Sequence, residues 1–347
     1  MPEKILTEME KVAFRALIKY PLMNDRELSE TVNIKLSTIT AIRRRLRERG
    51  VFRTYRIPML QKLGMEIISL SYGSMFRMSP DSAFMDRIKD FILVKNSIYA
   101  MTDMNHDLLL AFMPNYTEFK KGIEQFERFF FMHNPQPEDR MDTVLFPTGD
   151  RVMTLSFFDY TPVLEKIFMN EVVSGNEEEY IEMGERRLNR KEKKAFINFV
   201  THPEATDKAV AEMAGISRQA ASVMKARFYR EGLMKKVRIL DLSKLGLEII
   251  GFTHIRFAPE FGLEERRDRE ILMSAQMPHF FTLFNSTDAV IISAHRSFEE
   301  YSRDVYNLLS AYRKNEGMVE RTTTNLFSVE QNRALKMHDY SDLLSLI

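Results

Sequence analysis

The first sixty residues place apolar side chains at helical spacing. Val12, Ala13, Ala16 and Leu17 form one stripe, which predicts a helix over 7–19 closed by Pro21. A short helix over 25–32 follows, capped by Asn24 or Asp25, with a turn at Asn33. Ile39, Ile42 and Leu46 share one face of a third helix over 37–49, ended by Gly50. The pattern then turns β-like at 51–57. Further along, strands are predicted over 65–76, 97–103, 106–113 and 143–147, with helices over 80–91 and 117–131. That order, strand–helix–strand–strand–helix–strand, is the split βαβ unit of ferredoxin-like folds.

The whole series is written twice. Shifted by 182 positions, the chain matches itself without gaps over 6–68, with 20 identities in those 63 positions. Glu10/Glu192, Asp25/Asp207, Arg45/Arg227, Gly50/Gly232 and Arg56/Arg238 are among them. Lys62-Leu63-Gly64 returns as Lys244-Leu245-Gly246. Beyond Ile68 the match weakens but persists: Asp159-Tyr160 returns as Asp339-Tyr340. In the second copy Gly215 takes the turn position of Asn33, as a left-handed backbone favours. Ser217 caps the next helix. Lys35 stands there in copy one, so Ser37 is the expected cap.

The expected fold class is therefore α+β: two winged helix–turn–helix domains alternating with two βαββαβ ferredoxin-like domains. The boundaries read as 1–58 winged helix–turn–helix, 59–167 ferredoxin-like, 168–187 acidic linker, 188–240 winged helix–turn–helix and 241–347 ferredoxin-like. A length of 347 residues suits such a multidomain chain. Cysteine is absent, which removes disulfides, thiolate nucleophiles, iron–sulfur clusters and cysteine zinc sites. The start is charged every few residues and no apolar run reaches about 18 residues. A cytoplasmic protein with no membrane partner is expected.

The net charge of +1 conceals a division. By region the net charge is +6 over 1–58, −9 over 59–184, +8 over 185–240 and −4 over 241–347. Both helical regions are basic. On the third helix, Ser37, Thr38, Thr40, Arg43, Arg44 and Arg47 face outward. In copy two the outward set is Ser217, Arg218, Gln219, Ser222, Lys225 and Arg227. Arg53, Arg56, Lys235, Lys236 and Arg238 continue the basic surface into the β-like wings. A helix entering the major groove presents its first turns to base edges and its flanks to phosphates. Double-stranded DNA is the partner these faces suggest.

The runs 24–64 and 206–246, NDRELSETVNIKLSTITAIRRRLRERGVFRTYRIPMLQKLG and TDKAVAEMAGISRQAASVMKARFYREGLMKKVRILDLSKLG, resemble the DNA-binding half of the leucine-responsive regulatory (Lrp/AsnC) family. That resemblance implies a winged helix–turn–helix joined to a βαββαβ effector domain, with association through the sheets. A tandem chain of this kind pairs its own copies as an intramolecular pseudo-dimer or forms a homodimer. The family's effector loop falls on Asn105, His106 and Asp107, and on Ser286, Thr287 and Asp288. Neither hairpin has the family's glycine, which argues against a free amino acid as the small-molecule effector.

The seven histidines, His106, His133, His202, His254, His279, His295 and His338, show no metal-ligand spacing. They read as structural or solvated. No glycine-rich phosphate loop or nucleophile elbow is present. No cofactor, metal or catalytic residue is expected. Siroheme decarboxylases resemble the same architecture, some fused in tandem. Their resemblance implies a stretch with Tyr, Arg, Trp, Pro and Asn around the middle strands, whereas 97–112 and 279–294 hold neither Trp nor Arg. The expected function is a sequence-specific DNA-binding transcription regulator on two unequal half-sites, not an enzyme. The alternatives are a siroheme-decarboxylase-like enzyme and a winged-helix adaptor for protein or RNA.

Overall fold

A computed structural model of the chain describes residues 6–74, 88–103, 106–133, 141–173 and 177–347. The helical module of copy one is α1 (Glu8–Lys19), α2 (Asp25–Val32) and α3 (Leu36–Glu48). Thr7 caps α1 in a capping box: its side chain accepts from Glu10 N while the Glu10 carboxylate accepts from Thr7 N. Asn189 and Glu192 repeat that box in copy two, so the Glu10/Glu192 identity has a local cause. Asn24 caps α2, and Asn33 ends it in the left-handed region at φ 52°. Gly215 takes the same conformation at φ 68°. Ser217 caps its helix as expected. Ser37 does not cap α3, which begins at Leu36 with no side-chain cap bond.

After β1 (Phe52–Pro58), copy one continues through β2 (Ile67–Gly73), α4 (Ile92–Lys95), β3 (Ser97–Thr102), β4 (Asp107–Met113), α5 (Tyr116–His133) and β5 (Asp142–Pro147). The helix expected over 80–91 lies largely outside the described residues. A tail follows: β6 (Met153–Thr154), α6 (Thr161–Met169) and β7 (Glu179–Tyr180). Copy two contributes α7 (Arg190–Thr201), α8 (Asp207–Ala214), α9 (Arg218–Arg230) and β8 (Met234–Leu240). Next come β9 (Ile249–Phe257), α10 (Leu263–Arg266), α11 (Asp268–Ser274), β10 (His279–Phe284), β11 (Asp288–His295), α12 (Phe298–Tyr312) and β12 (Val319–Ser328). Its own tail is β13 (Arg333–Met337) and α13 (Ser341–Leu344).

These elements form two compact units, and each unit draws on both copies. Unit 1 comprises Met1–Thr54, Met153–Tyr180 and Lys236–Glu330; unit 2 comprises Tyr55–Val152, Ile181–Lys235 and Gln331–Ile347. A helical module and its tail thus join the sheet of the other copy. In unit 1 the antiparallel sheet runs β12-β9-β11-β10-β6-β7, so the copy-one tail extends the copy-two sheet at β10. In unit 2 the order is β13-β3-β4-β2-β5, and the copy-two tail extends the copy-one sheet at β3. The ferredoxin-like strand order is present in both, and the fold class is α+β.

Each sheet buries one face against its helices. In unit 1, Ile255, Phe257, Ala289 and Ile291 pack with Leu272, Leu308 and Tyr312. In unit 2, Leu109, Ala111 and Met113 pack with Phe119 and Phe126. The tail helix α6 lies against α1, where Phe14 and Phe168 rings meet at 6.0 Å and Arg15 Nε pairs with the buried Glu165 at 3.0 Å. Unit 1 also buries Lys166 with Asp304, 3.3 Å apart.

Candidate functional site

The residues singled out in the helical modules divide into two groups. Ser37, Arg44, Arg47, Arg53, Ser217, Arg218, Gln219 and Ser222 are exposed, while Thr38, Lys235 and Lys236 are half-buried. The others serve the fold. Thr40 Oγ1 donates to Asp25 Oδ2 at 2.8 Å, and Arg43 Nε lies 2.9 Å from Asp25 Oδ1. Lys225 makes the matching pair with Asp207 at 2.5 Å. Arg227 pairs with Glu192, as Arg45 does with Glu10.

Arg56 and Arg238 were expected on the DNA-facing wings, yet both are buried. In unit 1, Arg238 donates to the carbonyls of Leu17 and Pro21, the latter at 3.2 Å. In unit 2, Arg56 donates to Phe199 O at 3.2 Å with its guanidinium 5.2 Å from the Phe199 ring centre. Each guanidinium meets a carbonyl in a helix's last turn, Leu17 O in α1 and Phe199 O in α7, where the backbone leaves acceptors without intrahelical donors. Lys244 acts similarly in unit 1, donating to Arg49 O and Gly50 O beyond α3 at 2.9 and 3.2 Å. The identities between copies, Glu10/Glu192, Asp25/Asp207, Arg45/Arg227, Arg56/Arg238 and Lys62/Lys244, therefore fall largely on internal ion pairs and helix-end contacts.

The expected effector loops give a different result. Asn105 lies outside the described residues. His106 N donates to Asp103 Oδ1 at 2.8 Å, and Asp107 is buried at the start of β4. In copy two, Asn285 Oδ1 accepts from Thr287 N at 2.9 Å and Asp288 N at 2.7 Å, closing a tight Asx turn. Ser286 is exposed, Thr287 half-buried and Asp288 buried.

Asp288 carries the chemistry of this turn. Its Oδ1 lies 2.8 Å from His254 Nε2, and its Oδ2 accepts from Thr287 Oγ1 at 2.7 Å. Strand alternation explains the meeting. On β9, Ile255 and Phe257 face the helices, so His254 and Arg256 point from the opposite face. Asp288 on β11 registers with Arg256 on β9, and Arg256 registers with Arg321 on β12. His254 and Thr323 form the next row. Arg256 also lies 3.6 Å from Glu320, and its side chain is 58% exposed. Burial alone raises a carboxyl, but here the hydrogen bonds from His254 and Thr287 and the nearby charges outweigh it. They hold Asp288 below the usual carboxylate range. The ionised Asp288 accepts from His254 Nε2–H.

Copy one lacks this set. Ile67 and Ile249 open equivalent strands, and the offset puts Tyr72 at the place of His254 and Ser74 at that of Arg256. Sequence reasoning missed His254 and Arg256. The usable signal was a His-x-Arg pair on one strand face, present in one copy and absent from the other.

The remaining buried histidines have fold roles. His279 Nδ1 lies 2.9 Å from Met277 O, and burial pushes it down to about 4. His338 is ringed by Tyr55, Tyr99 and Tyr340, and burial pushes it down to about 3. His295 joins Ser293 at 2.9 Å and Asp304 at 3.5 Å. Exposed His202 bonds Thr201, and the side chain of His133 is outside the described set. Among the described residues no group of three or more His, Asp or Glu is placed to hold a metal ion. No described helix is long and apolar enough to cross a membrane.

No protein-family model matches the chain, and no curated protein sequence matches it. Among solved structures the match runs end to end. The chain is similar in fold to the siroheme decarboxylase NirDL. The crystal structure of that enzyme in complex with an iron–uroporphyrin III analogue aligns with a TM-score of 0.51 at 13% identity, covering 98% of this chain and 97% of that one. A second NirDL structure gives the same figures. The regulator AsnC of Escherichia coli aligns with 41% of this chain and 93% of its own, at 13% identity and a TM-score of 0.30.

These findings correct two expectations. The chain was expected to be a DNA-binding regulator and not an enzyme. The fold that matches from end to end is that of an enzyme. The internal use of Arg56, Arg238, Arg43, Lys225 and Arg227 also removes much of the basic pattern that suggested DNA.

Proposed function

We propose that the chain is an enzyme that decarboxylates the side chains of a siroheme-like iron tetrapyrrole at the His254–Asp288–Arg256 site. The observation that carries this is the His254–Asp288 hydrogen bond with two arginines on the same sheet rows. The full-length fold likeness to a siroheme decarboxylase supports it.

Removing CO2 from an acetate side chain breaks one C–C bond. The electron pair stays on the methylene carbon, and that carbon takes up one proton. The site suits each demand. Arg256 and Arg321 offer guanidinium forks to carboxylates, which they bind in bidentate fashion. His254 is the proton donor. Asp288 accepts from Nε2–H and orients the ring, as a carboxylate does for a catalytic histidine. The proton that reaches carbon is recovered by the ring from solvent.

The test is incubation of the purified chain with siroheme, with mass spectrometry following loss of CO2. Positioned general acids contribute about 100- to 10,000-fold, so His254→Gln is expected to slow turnover by at least about 100-fold. Arg256→Gln is expected chiefly to raise KM. A chain that neither binds nor decarboxylates the macrocycle would overturn the reading.

A further inference from the structure

A buried side-chain strut lies directly behind the proton-donor pair. Arg266 and Asp268 are fully buried in unit 1, with Arg266 Nη2 3.0 Å from Asp268 Oδ2. Tyr312 Oη, at the end of α12, donates to Asp268 Oδ1 at 2.6 Å. Arg266 Nε also donates to Asp268, and two further bonds reach the hairpin. Nη1 donates to Ser286 O at 2.8 Å, and Nη2 to Asn285 O at 2.7 Å. Its guanidinium lies 4.1 Å from the Phe257 ring centre, on the helix-facing side of β9. The turn it grips is the one whose Asn285 side chain sets the backbone of Asp288.

We propose that Arg266, Asp268 and Tyr312 are positioning residues that fix Asp288 at His254. The proposal rests on the decarboxylase reading above for its catalytic meaning. Burying an arginine and a carboxylate is costly, and a fold needing only stability is served as well by apolar side chains there. What apolar side chains cannot supply is a planar fork that holds two successive turn carbonyls and is itself held in place by a carboxylate. Asp268 orients the fork, and Tyr312 fixes Asp268 from the far helix. The hairpin carbonyls, and with them the Asp288 carboxylate, are left one position. His254 then finds its acceptor at hydrogen-bond distance before any substrate arrives, which is the preorganisation that general-acid chemistry rewards. Copy one has no arginine between its first and second sheet strands that is matched by an aspartate two residues on, and it also lacks the histidine.

The experiment uses the full chain with Tyr312→Phe, which removes one hydroxyl and keeps the ring, and Arg266→Lys, which keeps the charge and loses the fork. Two readouts are taken. The first is the imidazole N–H proton of His254 by NMR in chain labelled at histidine, without ligand. The second is kcat and KM on siroheme. Misplacing a catalytic group from a distance costs up to about 100-fold. We expect kcat to fall about 10-fold in Tyr312→Phe and about 100-fold in Arg266→Lys, with KM within about twofold. The His254 N–H signal should broaden into exchange with water in both variants. If both variants keep that signal and the parent's kcat, the strut proposal is overturned. If the parent turns over no tetrapyrrole, the decarboxylase reading fails, and the His254 signal still decides whether the strut holds the pair.

Discussion

Replacing Arg238 by methionine separates a buried helix-end contact from a surface contact, because the two roles predict opposite outcomes. Methionine keeps the length and apolar stem of the side chain but brings no donor. In unit 1 the substitution strands the carbonyls of Leu17 and Pro21, both met by the Arg238 guanidinium. A buried acceptor left without its partner costs about 1–3 kcal/mol. Loss of a cation at the end of α1 adds up to about 1 kcal/mol. Against this, methionine is easier to bury than a guanidinium, and burial already pushes Arg238 down to about 10. The net loss expected is about 3 kcal/mol. For a unit of this size that corresponds to a fall in Tm of about 6–12 °C. Thermal unfolding by circular dichroism measures it, with hydrogen exchange at the last turn of α1 as the local readout. Arg44→Met is the control: its side chain is 71% exposed, and the expected change is under about 0.5 kcal/mol. If Arg238→Met melts with the parent while losing affinity for a polyanion such as heparin, the buried helix-end role is wrong.

Three further outcomes are expected. His338 stays neutral when folded down to about pH 3, whereas an unfolded chain protonates it below about 6.5. It therefore weakens unit 2 as pH falls from about 6.5 towards 3, by up to about 1.4 kcal/mol per pH unit. His338→Asn, which tolerates the φ of 52°, should flatten a plot of urea midpoint against pH in that window; an unchanged slope would count against it. Gly251→Ala would place a Cβ 2.5 Å from Tyr301 Cε2, so a loss of about 1–3 kcal/mol is expected in urea unfolding. Finally, residues 1–187 and 188–347 expressed separately should each fail to give protected amides by hydrogen exchange, and recover them when co-expressed. Each unit takes elements from both copies, and autonomous folding of either half would refute that exchange.

Much of the secondary structure was legible because its causes are local. Capping boxes, the left-handed positions Asn33 and Gly215, and strand alternation act over a few residues. The strands predicted in copy one begin and end within three residues of their predicted bounds, as β2 at 67–73 against 65–76 shows. The tail strands β6, β7 and β13 were not predicted. Two of them are two residues long, too short for a periodic signal, and each exists only because a sheet edge supplies its hydrogen bonds. The site was half legible. Asp288 was singled out, but its partner was set aside with the other histidines. The His-x-Arg spacing on β9 was the one mark beside it, and the carboxylate that gives it a role lies 34 residues away.

Periodicity and the 182-residue repeat were enough to establish the class of fold and the duplication. The fate of each charge was another matter. Arg56 and Arg44 are both arginines beside a helix–turn–helix, indistinguishable by composition, spacing or local propensity. One is exposed, and the other reaches a carbonyl 143 residues away. Arg238 does so across 221 residues. Whether a guanidinium meets water or a helix end depends on which surfaces the folded chain brings together. A distant carbonyl changes the energy of the charge without leaving a mark beside it in the chain.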